Sequence, residues 1–153
     1  SPPPASRWTD TGLLILRLGI GATFIAAHGG PKLLAGPEKW SAIGGAVGIV
    51  GITVAPVFWG LMAAVSEAVG GLLLILGILV RPAAAFMLVT MLVAAGYHAD
   101  RDESFVYPLE MAVVFLGLLV AGGGRCGLGR HLRRKRGATP SPAAAPLPKK
   151  PQP

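Results

Sequence analysis

Four stretches of this chain stay apolar long enough to decide its solvent. They run from about Thr11 to Leu34, Val57 to Val80, Pro82 to His98 and Phe105 to Ala121. Each approaches the ~20 residues that cross ~30 Å of hydrocarbon, the third being the shortest. A backbone in lipid must satisfy its own hydrogen bonds, so four such stretches predict an all-α integral membrane four-helix bundle. Prolines mark the starts: Pro56 precedes the second segment, Pro82 opens the third, and Pro108 falls in the first turn of the fourth, where a missing N–H costs nothing. Composition agrees, with 14% charged residues against about 25% in soluble domains. The 22 glycines weaken a water-exposed bundle but are common in membrane helices. A disordered chain is excluded by 52% hydrophobic content, and a disulfide scaffold by the single cysteine, Cys126.

The first segment also mimics a cleaved leader, with Arg7, an apolar run and Ala26-Ala27, but three further spans favour a retained helix. Between the first two spans, PEKWSAIGGAVGIVGITVAP is too short for a span with its connections. It reads as a short interfacial or re-entrant helix anchored by Trp40 and Trp59, with Gly44 and Gly48 spaced for close packing or for a flexible linker.

The net charge of +7 belongs to the C-terminal end. Residues 1–124 hold six basic residues against all seven acids, and the other eight basics follow. No nucleic-acid face is present in the bundle, and HLRRKR directly after a span fits lipid headgroups or topology better. Three regions follow: an N-terminal segment 1–10, a four-span bundle 11–124 and a basic, Pro/Ala-rich tail 125–153, expected to be extended and able to hold a partner. Arg7, Arg81 and RRKR share one side, while Lys32, Lys39 and HADRDES share the other. The positive-inside rule then places both termini in the cytoplasm, in a bacterial inner membrane.

A charge at mid-bilayer costs on the order of 3 kcal/mol, so each one inside a span requires an explanation. Arg17, Gly21, Phe24, His28 and Lys32 lie on one stripe of the first span at 100° per residue. Glu67 lies near the middle of the second, sharing a face with Gly60, Ala63, Gly70, Gly71 and Leu74; Tyr107, Glu110, Val114 and Gly117 form a stripe on the fourth. His28, Lys32, Glu67, Tyr107 and Glu110 thus converge in the outer half as candidate ligand or quinone contacts. Glu67 and His28 are the catalytic candidates, for a buried carboxyl is either a proton carrier or half of an ion pair with His28 or Lys32. His28 is equally readable as a helix-end histidine bound to a carbonyl, Lys32 as a snorkelling or paired cation, and Tyr107 as an interfacial belt residue. For Glu110 a pair with Lys32 is favoured. Arg17 and Arg81 lie at the inner end, where snorkelling to headgroups gives them a structural and topological role.

Other motifs fail. GGGRCG matches G-x-G-x-x-G by letters without a strand–turn–helix context. His28, His98 and His131 sit in different segments, so no metal site is expected; bis-His haem through His28 and His98, or a metal on His98, Asp100 and Asp102, has little support. Cys126 beside Arg125 reads as an inert helix-end thiol.

Taken in order, LLILRLGIGATFIAAHGGPKLL, SEAVGGLLLILGILVRPAAAFMLVTMLVA and FVYPLEMAVVFLGLLVAGGGRCGLG resemble the DoxX family of small four-span membrane proteins of bacteria and archaea, over Leu13 to Gly129. The carrying elements are Arg17, His28–Leu33, Glu67–Ala84 and Tyr107–Glu110. Arg17, His28, Lys32, Glu67, Gly70, Gly71, Arg81, Tyr107, Pro108 and Glu110 fit the family's pattern. The closing Gly124-Arg125-Cys126-Gly127-Leu128 departs from the family's G-R-[YW]-S-L, as does the long tail. The family takes its name from subunits of a thiosulfate:quinone oxidoreductase and of terminal-oxidase preparations. The resemblance therefore implies a subunit of a redox or other energy-transducing membrane complex, either a quinone-site subunit or a non-catalytic accessory one. The alternative is a lipid or small-solute carrier. Quinone and lipid are the expected small molecules, with no covalently bound cofactor; membrane lipids and other membrane subunits are the expected partners.

Overall fold

The computed structural model describes residues 7–129, and among these every regular element is helical. The expected extended, partner-holding tail lies mostly outside the described residues. We number the helices α1 (Arg7–Leu34), α2 (Pro37–Gly44), α3 (Pro56–Leu76), α4 (Val80–Asp100) and α5 (Val106–Ala121), with a 3₁₀ segment at Gly45–Val50. The helices α1, α3 and α4, of 28, 21 and 21 residues, are long and apolar enough to cross a membrane, and α5 is a shorter apolar helix. At 1.5 Å per residue, its 16 residues reach about 24 Å. The fold is that of a multi-pass membrane protein.

Boundaries move where local chemistry was not read. The helix α1 starts at Arg7, four residues before the expected Thr11. The second span ends at Leu76 instead of Val80, because Gly77 adopts the left-handed conformation (φ 66°) and Ile78 N–H returns to Leu73 C=O at 3.1 Å. That is a Schellman stop, which glycine permits without a Cβ penalty. Leu79 is also left-handed, and α4 begins at Val80, two residues before Pro82.

Hydrocarbon offers no hydrophobic drive between helices, so close packing and interhelical hydrogen bonds hold the bundle. The buried face of α3 is Gly60, Ala64, Glu67, Gly70, Gly71 and Leu74, the expected stripe with Ala64 in place of Ala63. A Cβ on Gly71 would lie 2.8 Å from the Gly21 carbonyl oxygen, which brings α1 and α3 nearly into backbone contact. Ser66 and Thr90 join α3 to α4 at 3.1 Å. Phe24, Leu74, Met87, Phe115 and Leu118 are fully buried in one core cluster, with Phe24 edge-on to Phe115 at 5.1 Å. Such a pair contributes ~0.5–1.5 kcal/mol beyond its area.

The expected short helix between the first two spans is α2 with its 3₁₀ extension. Gly44 packs on the backbone of Pro56 and Gly60, whereas a Cβ on Gly48 would meet nothing within 4 Å, so only the first of the two glycines makes the close contact. The face of α5 is also corrected. Its buried residues are Pro108, Ala112, Phe115 and Leu118, while Tyr107, Glu110 and Gly117 are exposed. The helix is apolar on all sides, so its polar residues are a poor guide to its inward face; near the end of a span they can turn to headgroups or water.

Candidate functional site

The middle of α1 widens into a π-helical turn at Phe24–Gly29. A proline ring would clash with the carbonyl four residues back, and Pro31 follows the widened turn directly. Inserted π turns relieve such crowding and recur at functional sites. The turn breaks the uniform 100° progression expected for the Arg17–Lys32 stripe. Gly29, rather than His28, takes the tightest position, its α-carbon against the backbone of Ala68 and Glu67. His28 is thereby brought to the edge facing α5.

There Tyr107 Oη and His28 Nε2 share a hydrogen bond of 2.8 Å, whose direction follows the imidazole tautomer. The two rings stack at 5.5 Å, and Phe24 backs the imidazole at 5.0 Å. One turn on, Lys32 reaches the buried Glu67, with Nζ at 2.6 and 2.8 Å from the two carboxylate oxygens. Trp40 Nε1–H donates to the Lys32 carbonyl at 2.7 Å, tying the end of α1 to α2. Lys32 therefore pairs with Glu67, as one of the two partners weighed for that carboxylate, and not with Glu110, for which depth favoured it. Glu110 is exposed on α5, and among the described residues the two make no ion pair.

A cavity of about 250 Å³ joins these groups, lined by His28 and Lys32 of α1, Glu67 of α3, Met91, Ala94 and His98 of α4, then Ser104, Tyr107 and Pro108. The helices α1, α3, α4 and α5 all contribute. His98, weighed only as a metal or haem ligand, lines the cavity and bonds through Nδ1 to Glu103 at 2.6 Å. Ser104 was not foreseen, and Trp40, expected as an anchor of the short helix, was not read as a partner of Lys32; a serine next to the start of a span and an indole within ten residues of Lys32 are the faint signals that could have raised these roles. Among the described residues no group of three His, Cys, Asp or Glu side chains could hold a metal ion.

The opposite end of the bundle overturns the reading of Arg17. Its side chain is fully buried, and among the described residues Nε, Nη1 and Nη2 have no hydrogen-bond partner, so it does not snorkel to headgroups. The reason is the segment after α5. It folds back across the bundle through Gly122–Gly129 instead of leaving it, and Gly77, Gly123 and Gly127 surround Arg17 Nη1. The Arg125 amide donates to buried Asp10 at 2.8 Å, which joins the two ends of the described chain. Arg81 is exposed, as a topological role requires, and donates to the Val120 carbonyl at 3.2 Å near the end of α5.

The Lys32–Glu67 pair and His28 fall within residues 12–99, over which a model of the DoxX family matches the chain; Tyr107 and Glu110 fall beyond it. No curated protein and no solved structure matches. The matched segment exceeds half of the chain, and it contains α3 and nearly all of α1 and α4 with the ion pair that joins two of them. This chain belongs to the DoxX family.

Proposed function

We propose that this protein is a quinone-site subunit of a redox membrane complex, with the cavity between α1, α3, α4 and α5 receiving the ligand's polar ring. The observation that carries this reading is the cavity itself, a 250 Å³ space below the ~300 Å³ at which pockets take drug-sized ligands. That size suits one substituted ring. Quinone reduction consumes two electrons and two protons. The residues present fit the proton side of that chemistry: Tyr107 Oη, the Lys32 ammonium and a tautomer of His28 can donate to ring oxygens, and Glu67 can exchange a proton through Lys32. His98 with Glu103 offers a path for protons from the loop side of the cavity. Electrons would enter from a partner subunit.

The second reading, an accessory subunit without its own reaction, draws on α1. Gly12 and Gly19 are exposed one above the other, and a Cβ on either would meet nothing within 4 Å, which leaves a surface suited to another membrane helix. A carrier has less support, because the buried layer of Phe24, Leu74, Met87 and Phe115 separates the cavity from the Arg17 end. Charge asymmetry favours a bacterial inner membrane with the Arg17 end cytoplasmic.

The test is binding of a short-tailed benzoquinone to the purified chain in detergent, followed by quenching of tryptophan fluorescence. Saturable binding, weakened about tenfold by Tyr107→Phe or His28→Ala (about 1.4 kcal/mol), supports the quinone site. If binding is absent while neighbouring subunits still co-purify with Glu67→Gln protein, the accessory reading stands instead.

A further inference from the structure

The Arg17 end holds the largest unexplained charge in the molecule. A guanidinium carries five N–H donors, and among the described residues none of the three Arg17 nitrogens has an acceptor. Taking an ion out of water without a partner costs several kcal/mol, so a residue of this kind calls for a counter-charge. Among the described residues no free carboxylate supplies one: Asp10 is taken by the Arg125 amide and flanked by the Arg125 guanidinium, Glu67 is paired with Lys32 at the other end of the bundle, and the neighbouring Cys126 is a thiol rather than a carboxylate.

Arg17 is not alone. Gly122–Gly129 brings two more arginines to the same end. Arg81 Nε lies beside Gly122, 3.3 Å from where its Cβ would stand, and Arg125 flanks Asp10 with Nε at 3.9 Å from the carboxylate. Three guanidinium groups therefore share one loop with a single carboxylate. Both rim arginines are exposed, and Arg17 forms the buried base. Planar guanidinium forks match phosphate oxygens two at a time, which a lone lysine does not.

We infer that the loop Gly122–Gly129 with Arg17, Arg81 and Arg125 binds a phosphate oxyanion, carried either by free phosphate or by the headgroup of an anionic phospholipid. The loop covers Arg17, so admitting the anion to the base requires it to lift. Beyond the Gly122 N–H that closes α5 on Leu118, few bonds hold it: Arg125 N–H to Asp10 and Gly129 N–H to Gly77 C=O at 3.4 Å. The site lies at the far end of the bundle from the quinone cavity and does not depend on it.

Thermal unfolding of the full chain in phospholipid-free detergent tests this in two arms. One compares sodium phosphate with sodium chloride at equal ionic strength; the other adds phosphatidylglycerol or a neutral glycolipid. The wild-type midpoint should rise with phosphate, with phosphatidylglycerol or with both, the responding arm identifying the source. Arg17→Gln should abolish that rise, although the basic residues of 130–136 remain. Arg81→Gln, on an exposed side chain that leaves the fold intact, should weaken the apparent affinity several-fold. A wild-type midpoint unmoved in both arms overturns the proposal, as does an Arg17→Gln response equal to wild type. If Arg17→Gln does not fold, Arg81→Gln decides, and an unchanged affinity there overturns it.

Discussion

Lys32 Nζ sits between the two carboxylate oxygens of Glu67, at 2.6 and 2.8 Å, and the pair is lopsided: the Glu67 side chain is 1% exposed and that of Lys32 29%. Removing one partner is therefore not equivalent to removing the other. Lys32→Met strands a buried carboxylate and should cost ~3–5 kcal/mol of stability. Glu67→Gln leaves a cation that can extend toward water, and should cost ~1–3 kcal/mol. The double variant with methionine at both positions should recover much of the Lys32→Met loss. Unfolding midpoints of the four proteins in one detergent check the order, and equal losses for the two single variants would contradict the asymmetry.

The contact between His28 and Tyr107 has two separable parts, a 2.8 Å hydrogen bond and a stacked ring pair. Tyr107→Phe removes only the first and should cost ~0.5–1.5 kcal/mol. His28→Ala also loses the rings of Tyr107 and Phe24, each pair adding ~0.5–1.5 kcal/mol. The side-chain ¹⁵N resonance of His28 should shift in Tyr107→Phe protein while its ring contact to Phe24 persists in NOE spectra.

How much of this was legible follows from what each residue type must do. Helix number and solvent were readable because lipid leaves the backbone no other option, and Glu67 stood out because a carboxylate in a span requires a partner. Lys32 was one of the two partners in view for it, but depth alone did not choose Lys32 over His28, nor assign Lys32 to Glu67 rather than to Glu110. Lys32 and Glu110 looked level along the membrane normal, but a π turn before Pro31 changes the azimuth of everything after Phe24, and depth carries no information about azimuth. The buried face of α5 was missed for a related reason: an all-apolar helix has no polar side to place outward, and Tyr107 and Glu110 sit near its end, where they need not face inward. Arg17 was misread because a chain leaving a span at Gly122 gives no sign, in its letters, of folding back over the bundle.

Gly29 is the point where α1 and α3 come nearest at the level of the site, and a Cβ there would collide with the backbone at Ala68. Gly29→Ala must push the helices apart, since backbone cannot give way as a side chain tip does. Overpacking of this kind costs ~1–3 kcal/mol or more. The separation should also stretch the Lys32–Glu67 contact. A double-mutant cycle on that pair should therefore return a smaller coupling in the Gly29→Ala background than in wild type. An unchanged coupling would mean that the close approach does not set the ion-pair distance.

Asp10 joins the start of α1 to the loop after α5 through a backbone donor, and this makes the two residues of the contact unequal. Arg125→Gln keeps the amide N–H that donates at 2.8 Å and gives up only an Nε contact of 3.9 Å on an exposed side chain. The contact is long and its cation is exposed, although Asp10 is buried, so the loss should stay within about 1 kcal/mol. Asp10→Ala removes the acceptor itself and leaves the amide without a partner against a buried position, a loss of ~1–3 kcal/mol. Local opening should follow, because the loop has few other bonds to the bundle. Hydrogen exchange resolves the two cases: the amides of Gly124, Arg125 and Cys126 should exchange markedly faster in Asp10→Ala than in wild type, and nearly as in wild type in Arg125→Gln. Equal acceleration in both would show that the side-chain charge, rather than the backbone bond, holds the loop over Arg17.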